Sequence, residues 1–128
     1  MITITSIRNA KQEVFDEIWA IVRSLKSKSA YITQVPELSP SWSLFKTYLK
    51  LIDDGNWNKQ TFETIYKPQF LSQIANDPAA SKKLAELVQK DKAGKKIALV
   101  CFCANPALCH RSLIAQMLTT YGVQIILS

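Results

Sequence analysis

Seven consecutive residues, Ile97-Ala98-Leu99-Val100-Cys101-Phe102-Cys103, carry no charge and no strongly polar side chain. A strand with one face in water alternates apolar and polar residues, whereas a strand covered on both faces reads as a continuous apolar run. The segment therefore predicts a strand in the interior of a sheet. Ala93-Gly94-Lys95-Lys96 is the turn that leads into it. After it, Leu113, Ile114, Met117, Leu118 and Tyr121 repeat at helical spacing, and Gly122 closes the pattern. Val123 to Leu127 reads as a last buried strand. A strand–helix–strand ending of this kind implies a right-handed crossover and a parallel pair.

The upstream chain supplies further elements. Ile2-Thr3-Ile4-Thr5-Ser6-Ile7 alternates and is rich in β-branched residues, which predicts a first strand. Asn9 is placed to cap a helix in which Val14, Ile18, Ile21, Val22 and Leu25 recur at helical spacing, with Phe15 and Trp19 widening the apolar face. That helix fades in Lys26-Ser27-Lys28-Ser29, and a short strand from Ala30 to Val35 ends at Pro36. Ser39 is the expected N-cap of the next helix, with Pro40 at its first position and Trp42, Phe45, Leu49 and Ile52 as its apolar stripe. Asp53-Asp54-Gly55 stops it. A helix from about Asn58 to Ala75, bent near Pro68, precedes another that starts after Asn76-Asp77-Pro78 and carries Leu84, Leu87 and Val88. Together these predict one α/β domain over 1–128: a small Rossmann-like domain with a mostly parallel sheet flanked by helices.

Composition narrows the partners. With 48% apolar and 20% charged residues in 128, the chain has the balance of an ordinary globular domain. Three cysteines, an odd number, argue against a secreted disulfide framework and for a reducing compartment. The start MITITSIRNA lacks the order of a signal peptide and no apolar run reaches spanning length, so a cytoplasmic protein without a membrane partner is expected. A net charge of +6 favours anionic partners. The densest basic stretch, Lys82-Lys83 to Lys95-Lys96, is interrupted by Glu86 and Asp91 and reads as solvated helix surface rather than a nucleic-acid footprint.

The chemistry gathers after the apolar run. In open parallel sheets ligands bind beyond the carboxyl ends of the strands, where Cys103 stands. Ala104 to Leu108 separates it from Cys109-His110-Arg111, the expected start of the last helix. Free N–H groups at that start favour an anion, and Arg111 adds a positive fork suited to phosphate. His110 is the one histidine and is expected to titrate near neutrality. Cys109, at a helix start beside a cation, is expected to favour its thiolate. The sum is a site for a negatively charged ligand.

Plainer readings stand beside it. Cys101 fits a small core hydrophobe, His110 a partner for a backbone carbonyl, and Arg111 a structural cation. Cys101, Cys103, Cys109 and His110 are the soft ligands zinc prefers. Against zinc, the spacing lacks the usual knuckle, and the adjacent Cys109 and His110 converge awkwardly. The phosphatase cysteine loop needs five residues between nucleophile and arginine, while seven separate Cys103 from Arg111. No Gly-rich phosphate loop is present.

The run from Ile97 through Cys109-His110-Arg111-Ser112 resembles the signature of the DUF488 (YeaO-like) family: a hydrophobic strand ending in cysteine, seven intervening residues, then Cys-His-Arg. Thr5-Ser6, the Leu38-Ser39-Pro40-Ser41 loop and the Phe62-to-Tyr66 helix are similar too. A second group, DUF4326, shares a similar Cys-x-Cys…Cys-His pattern. Many DUF488 relatives carry an acidic residue where this chain has Cys103, so a glutamate-dependent mechanism is not carried over. The resemblance implies a Rossmann-like domain of bacteria and phages linked to nucleotides or nucleic acids. On it, Thr5, Ser6 and Arg8 line the mouth of the site, Ser39 and Ser41 offer hydroxyls, and Tyr66 closes over the ligand.

The expected function is binding, with processing left open, of a phosphate-bearing nucleotide or nucleic-acid ligand. His110 and Cys109 are its candidate catalytic residues. Arg111, Ser112, Cys103, Ser6, Arg8, Ser41 and Tyr66 are its candidate binding residues, and no cofactor is expected. The alternatives are a non-catalytic protein of phage type that sequesters a nucleotide signal, and a zinc-stabilised adaptor acting through protein contacts.

Overall fold

The computed structural model describes residues 1–25, 30–102 and 105–127. Five parallel strands form one sheet in the order β3-β2-β4-β1-β5, where β1 is Ile2–Ser6, β2 Glu17–Ala20, β3 Ile32–Gln34, β4 Ile97–Cys101 and β5 Ile125–Leu127. Helices α1 (Trp42–Asp53), α3 (Lys67–Ala75), α4 (Pro78–Lys92) and α5 (His110–Thr120) flank it. This is the small Rossmann-like arrangement expected, with every strand pair parallel. The apolar run behaves as anticipated: all five β4 residues are buried, and the strand lies between β1 and β2.

The expectations for the segments that form β2 and the last strand fail. No helix forms between β1 and β2 among the described residues. Asn9 donates its backbone N–H to Ser6 in a turn, and Glu17-Ile18-Trp19-Ala20 is a strand beside β4. The run Ile18 to Val22 is wholly apolar, which suits a doubly covered strand as well as a helix face, and pairing with β4 decides between them. The last strand, expected to be buried, is instead an edge: Ile126 and Leu127 are exposed. It also does not pair with β4. Both strands flank β1, so the ending is a crossover over one intervening strand.

The long connection from β3 to β4 follows its local signals. Ser41, not Ser39, caps α1, its hydroxyl accepting from the Leu44 N–H at 3.1 Å. Asn58 caps the short α2 (Lys59–Thr61) in a reciprocal box with Thr61. The five residues Phe62–Tyr66 then widen into a π-helical turn before α3. Pro68 follows two residues later and has no N–H to give to the preceding turn, which is a setting for such a bulge. Asp77 caps α4, and Gly94, at φ 85°, turns the chain into β4.

Inside α1 the stripes are reversed. Leu44 is buried and Tyr48 and Leu51 are half-buried, while Trp42, Phe45, Leu49 and Ile52 are 37 to 55% exposed. The helix carries two apolar stripes, and helical periodicity alone does not say which one faces the core.

Glu17, at the start of β2, ties the sheet to α4. Its carboxylate accepts from Lys90 Nζ at 2.7 Å, from Trp19 Nε1 at 3.0 Å and from Lys95 Nζ at 3.5 Å. Burial pushes its pKa up, but these donors outweigh it and hold the carboxyl below the ordinary 4.5. Its stabilisation is therefore present above pH 4.5 and lost as pH falls through the lower folded value. The Glu17→Gln protein is expected to be about 1 kcal/mol less stable at pH 7. The difference should vanish on acidification, as read from urea midpoints at stepped pH.

Candidate functional site

The chain leaves β2 toward β3 at one edge and leaves β4 toward β5 on the other side. Connections that diverge from neighbouring strands open a crevice at their carboxyl ends. A cavity of about 240 Å³ lies there. One wall is Val22, Arg23 and Ser24, just past β2. A second is Ser39 and Pro40 with Trp42, Phe45 and Tyr48 of α1. The third is Cys101 and Phe102 at the end of β4, with His110 at the start of α5.

The walls are held by specific bonds. Arg23 donates from Nε to the Pro40 carbonyl at 2.9 Å and from Nη2 to the Pro36 carbonyl at 3.3 Å. It thus straps the loop after β2 to the loop before α1. Gln34 Nε2 donates to the Arg23 carbonyl at 2.9 Å. Gln73 of α3 clamps the other side, its amide donating to the Ser39 carbonyl at 2.9 Å and accepting from the Ser41 N–H at 2.7 Å. The buried Ser39 hydroxyl donates to the Pro36 carbonyl at 2.6 Å.

His110 is 6% exposed and packs beside Phe70. Its Nε2 lies 2.6 Å from the carbonyl of Ile21, which continues β2 by pairing its own N–H with Val100. A carbonyl only accepts, so Nε2 carries the proton and Nδ1 presents a lone pair. Nδ1 lies 3.6 Å from Cys109 Sγ, and Cys109 Sγ lies 3.1 Å from Cys101 Sγ. Burial lowers the imidazole pKa to about 4; the Ile21 carbonyl opposes this, and the Arg111 charge adds to it. The expectation of a histidine titrating near neutrality is thereby corrected: burial keeps the ring neutral at pH 7.

Arg111 is also buried, at 4% exposed, and does not line the cavity. Its Nη1 donates to the Thr5 carbonyl at 2.7 Å, whereas its Nε and the neighbouring Thr5 hydroxyl have no hydrogen-bond partner among the described residues. None of the ion pairs among the described residues includes it. A guanidinium buried without a carboxylate costs several kcal/mol unless something negative compensates it.

The other expected residues scatter. Ser41 spends its hydroxyl on the α1 cap, and Ser112 donates to the Cys109 carbonyl at 2.7 Å. Tyr66 is buried in an aromatic stack with Phe62 and Phe70, so it does not close over the cavity. Ser6 is half-buried at the end of β1 and Arg8 is exposed beyond it; neither lines the cavity. Cys109 is buried, caps α5 with backbone geometry alone, and is disulfide-bonded, which removes the thiolate expected of it. Cys103 lies outside the described residues.

Arg23, Phe45, Tyr48 and Phe102 were missed as site residues. Arg23 directly follows the apolar run Ile18 to Val22. Reading that run as a strand would have put a cation at a strand's carboxyl end.

An Arg111→Met protein loses the bond to Thr5 but also an uncompensated buried charge. Its unfolding free energy is expected to stay within about 1 kcal/mol of the parent. A loss above about 3 kcal/mol in a urea titration would make Arg111 a structural anchor instead.

Comparison with known proteins bears on the whole of this arrangement. No curated protein and no solved structure matches the chain. A family model described as the active DUF488-N3 subclade matches residues 2–122, from the first residue of β1 to the glycine that ends α5. The protein belongs to the DUF488 family.

Proposed function

We propose that the crevice between β2 and β4 binds a nucleotide-like anion. The observation that carries this is the buried Arg111, a cation without a carboxylate among the described residues, behind a cavity whose lining has a second guanidinium and no acidic residue. Trp42, Phe45 and Phe102 give the mouth of that cavity exposed ring faces. A base stacks on such rings whatever its sequence identity. Arg23 has five N–H donors, of which the two strapping bonds use two. Its remaining donors and the N-terminus of α5 suit a phosphate. The volume, about 240 Å³, accommodates a mononucleotide with its base or its phosphate reaching into solvent, and a longer strand continues outward.

Arg111 acts in this reading from beneath the helix start, through its charge rather than by contact. Cys109 is a structural partner of His110. Turnover of the bound ligand is the second reading, favoured by the placement of Cys101 and His110 in one cavity wall and by the description of the matching subclade as active. A neutral imidazole whose Nε2 proton is committed to Ile21 offers only its Nδ1 lone pair to such chemistry.

Quenching of tryptophan fluorescence by a panel of nucleoside mono- and triphosphates tests the proposal, with inorganic phosphate as competitor. Saturable quenching is expected. Arg23→Ala and Trp42→Ala should each weaken it about tenfold or more. Trp42→Ala should leave stability within about 0.5 kcal/mol, since the ring is half in water. Binding that is absent from the parent, or equal in both variants, would end the proposal. Ligand recovered intact after long incubation favours sequestration. A new product that the His110→Gln protein no longer makes favours an enzyme.

A further inference from the structure

We infer that Cys101, Cys109 and His110 converge as three ligands of one metal ion, with the chemistry of zinc, on the wall of the cavity. Their ligand atoms all lie within 4.8 Å of one another, and all three residues are buried. They come from two elements, the end of β4 and the start of α5, so the site depends on the fold. The adjacency of Cys109 and His110, which argued against convergence, is resolved by the helix boundary. Cys109 is extended at φ −134°, ψ 148°, and His110 is the first helical residue. The change of backbone conformation between them brings both side chains to one side.

One of the three separations already matches a tetrahedral ion, and the others ask for small side-chain shifts. Zinc sits about 2.3 Å from thiolate sulfur and about 2.0–2.1 Å from imidazole nitrogen, which at a tetrahedral angle separates the two donors by about 3.6 Å. Cys109 Sγ and His110 Nδ1 are 3.6 Å apart. The sulfurs of Cys101 and Cys109, at 3.1 Å, need to move apart by about 0.7 Å for the same ion.

A second observation is independent of those distances. A metal-bound histidine nearly always gives its other ring N–H to a carbonyl or carboxylate, which fixes the tautomer and aims the lone pair. His110 does this with the Ile21 carbonyl, leaving Nδ1 toward the sulfurs. Cys101 and His110 both line the cavity, so an ion held there would lie against a ligand bound in it.

Cys101 is already a thiol, so loading needs only the disulfide at Cys109 opened, by two electrons and two protons from a thiol reductant or from a phosphine with water. Each thiol releases its proton to solvent as the thiolate binds, and the two thiolate charges offset the double positive charge of the ion. The disulfide at Cys109 is the alternative state of the same sulfur, so oxidation and metal exclude each other. The inference stands apart from the nucleotide proposal, and its test uses no nucleotide.

The full chain, kept reduced with a phosphine and stripped by a chelator, is titrated with cobalt(II). One equivalent is expected to give tetrahedral visible bands and a thiolate-to-cobalt charge-transfer band, both displaced by zinc. The Cys101→Ser, Cys109→Ser double variant should lose the charge-transfer band. His110→Gln should weaken binding at least tenfold. If the variants fail to fold, X-ray absorption of the zinc-loaded parent decides, with at least two sulfur ligands at about 2.3 Å expected. A folded, reduced parent without the charge-transfer band, a band retained in the double variant, or a shell of nitrogen and oxygen alone would each overturn the inference.

Discussion

Everything at the site rests on the hydrogen bond from His110 to the carbonyl of Ile21. That carbonyl sits where the β2–β4 ladder runs out, beyond the last pair of the sheet. A backbone oxygen buried at such a place needs a donor, and nearly all buried backbone groups find one. Here the donor comes from the first residue of the helix that follows β4. The bond therefore joins the ends of two neighbouring strands to the helix start, and it sets the imidazole tautomer in the same stroke. From that tautomer follow the neutral ring, the lone pair facing the sulfurs and the wall of the crevice.

The crevice itself comes from topology. A sheet whose connections all ran one way would leave no gap between β2 and β4. The order β3-β2-β4-β1-β5 splits them, and the opening falls where polar and reactive side chains stand. The surrounding loops then have to be fixed without secondary structure of their own. Arg23 and Gln73 do this through backbone carbonyls and N–H groups, so the rim is rigid although it is loop. Against that frame, the exposed rings of α1 and Phe102 gain little from folding, since much of their surface stays in water.

Much of the fold was legible because its signals are local or all-or-none. The buried β4, the glycine that ends α5, the cap before Pro78 and the irregularity near Pro68 each follow from a few neighbouring residues. The segment around Ile18 was not legible. A short apolar run satisfies a helix face and a doubly covered strand equally, and only its partner breaks the tie. The stripe of α1 failed for a related reason: two apolar faces on one helix compete for one core. Of Cys109-His110-Arg111, only His110 lines the cavity, and neither that nor the burial of all three was legible in the sequence. Type and position suggest what a side chain is able to do, while burial decides what it does. His110 became a neutral ring and Arg111 a charge below the surface.

By itself, the sequence determined the class of fold, an α/β domain built on a central buried strand, and the place where its reactive residues gather. It did so because hydrophobic burial and chain ends are written in runs and breakers a few residues long. The tertiary structure alone decided that β2 exists, that Arg23 and the rings of α1 face the cavity, and that three ligand atoms of Cys101, Cys109 and His110 converge. Those facts depend on which segments meet across 8 to 89 residues of chain, as the sulfur contact and the Ile21 bond do. No local pattern carries that information, because long-range pairing is chosen by the whole core at once.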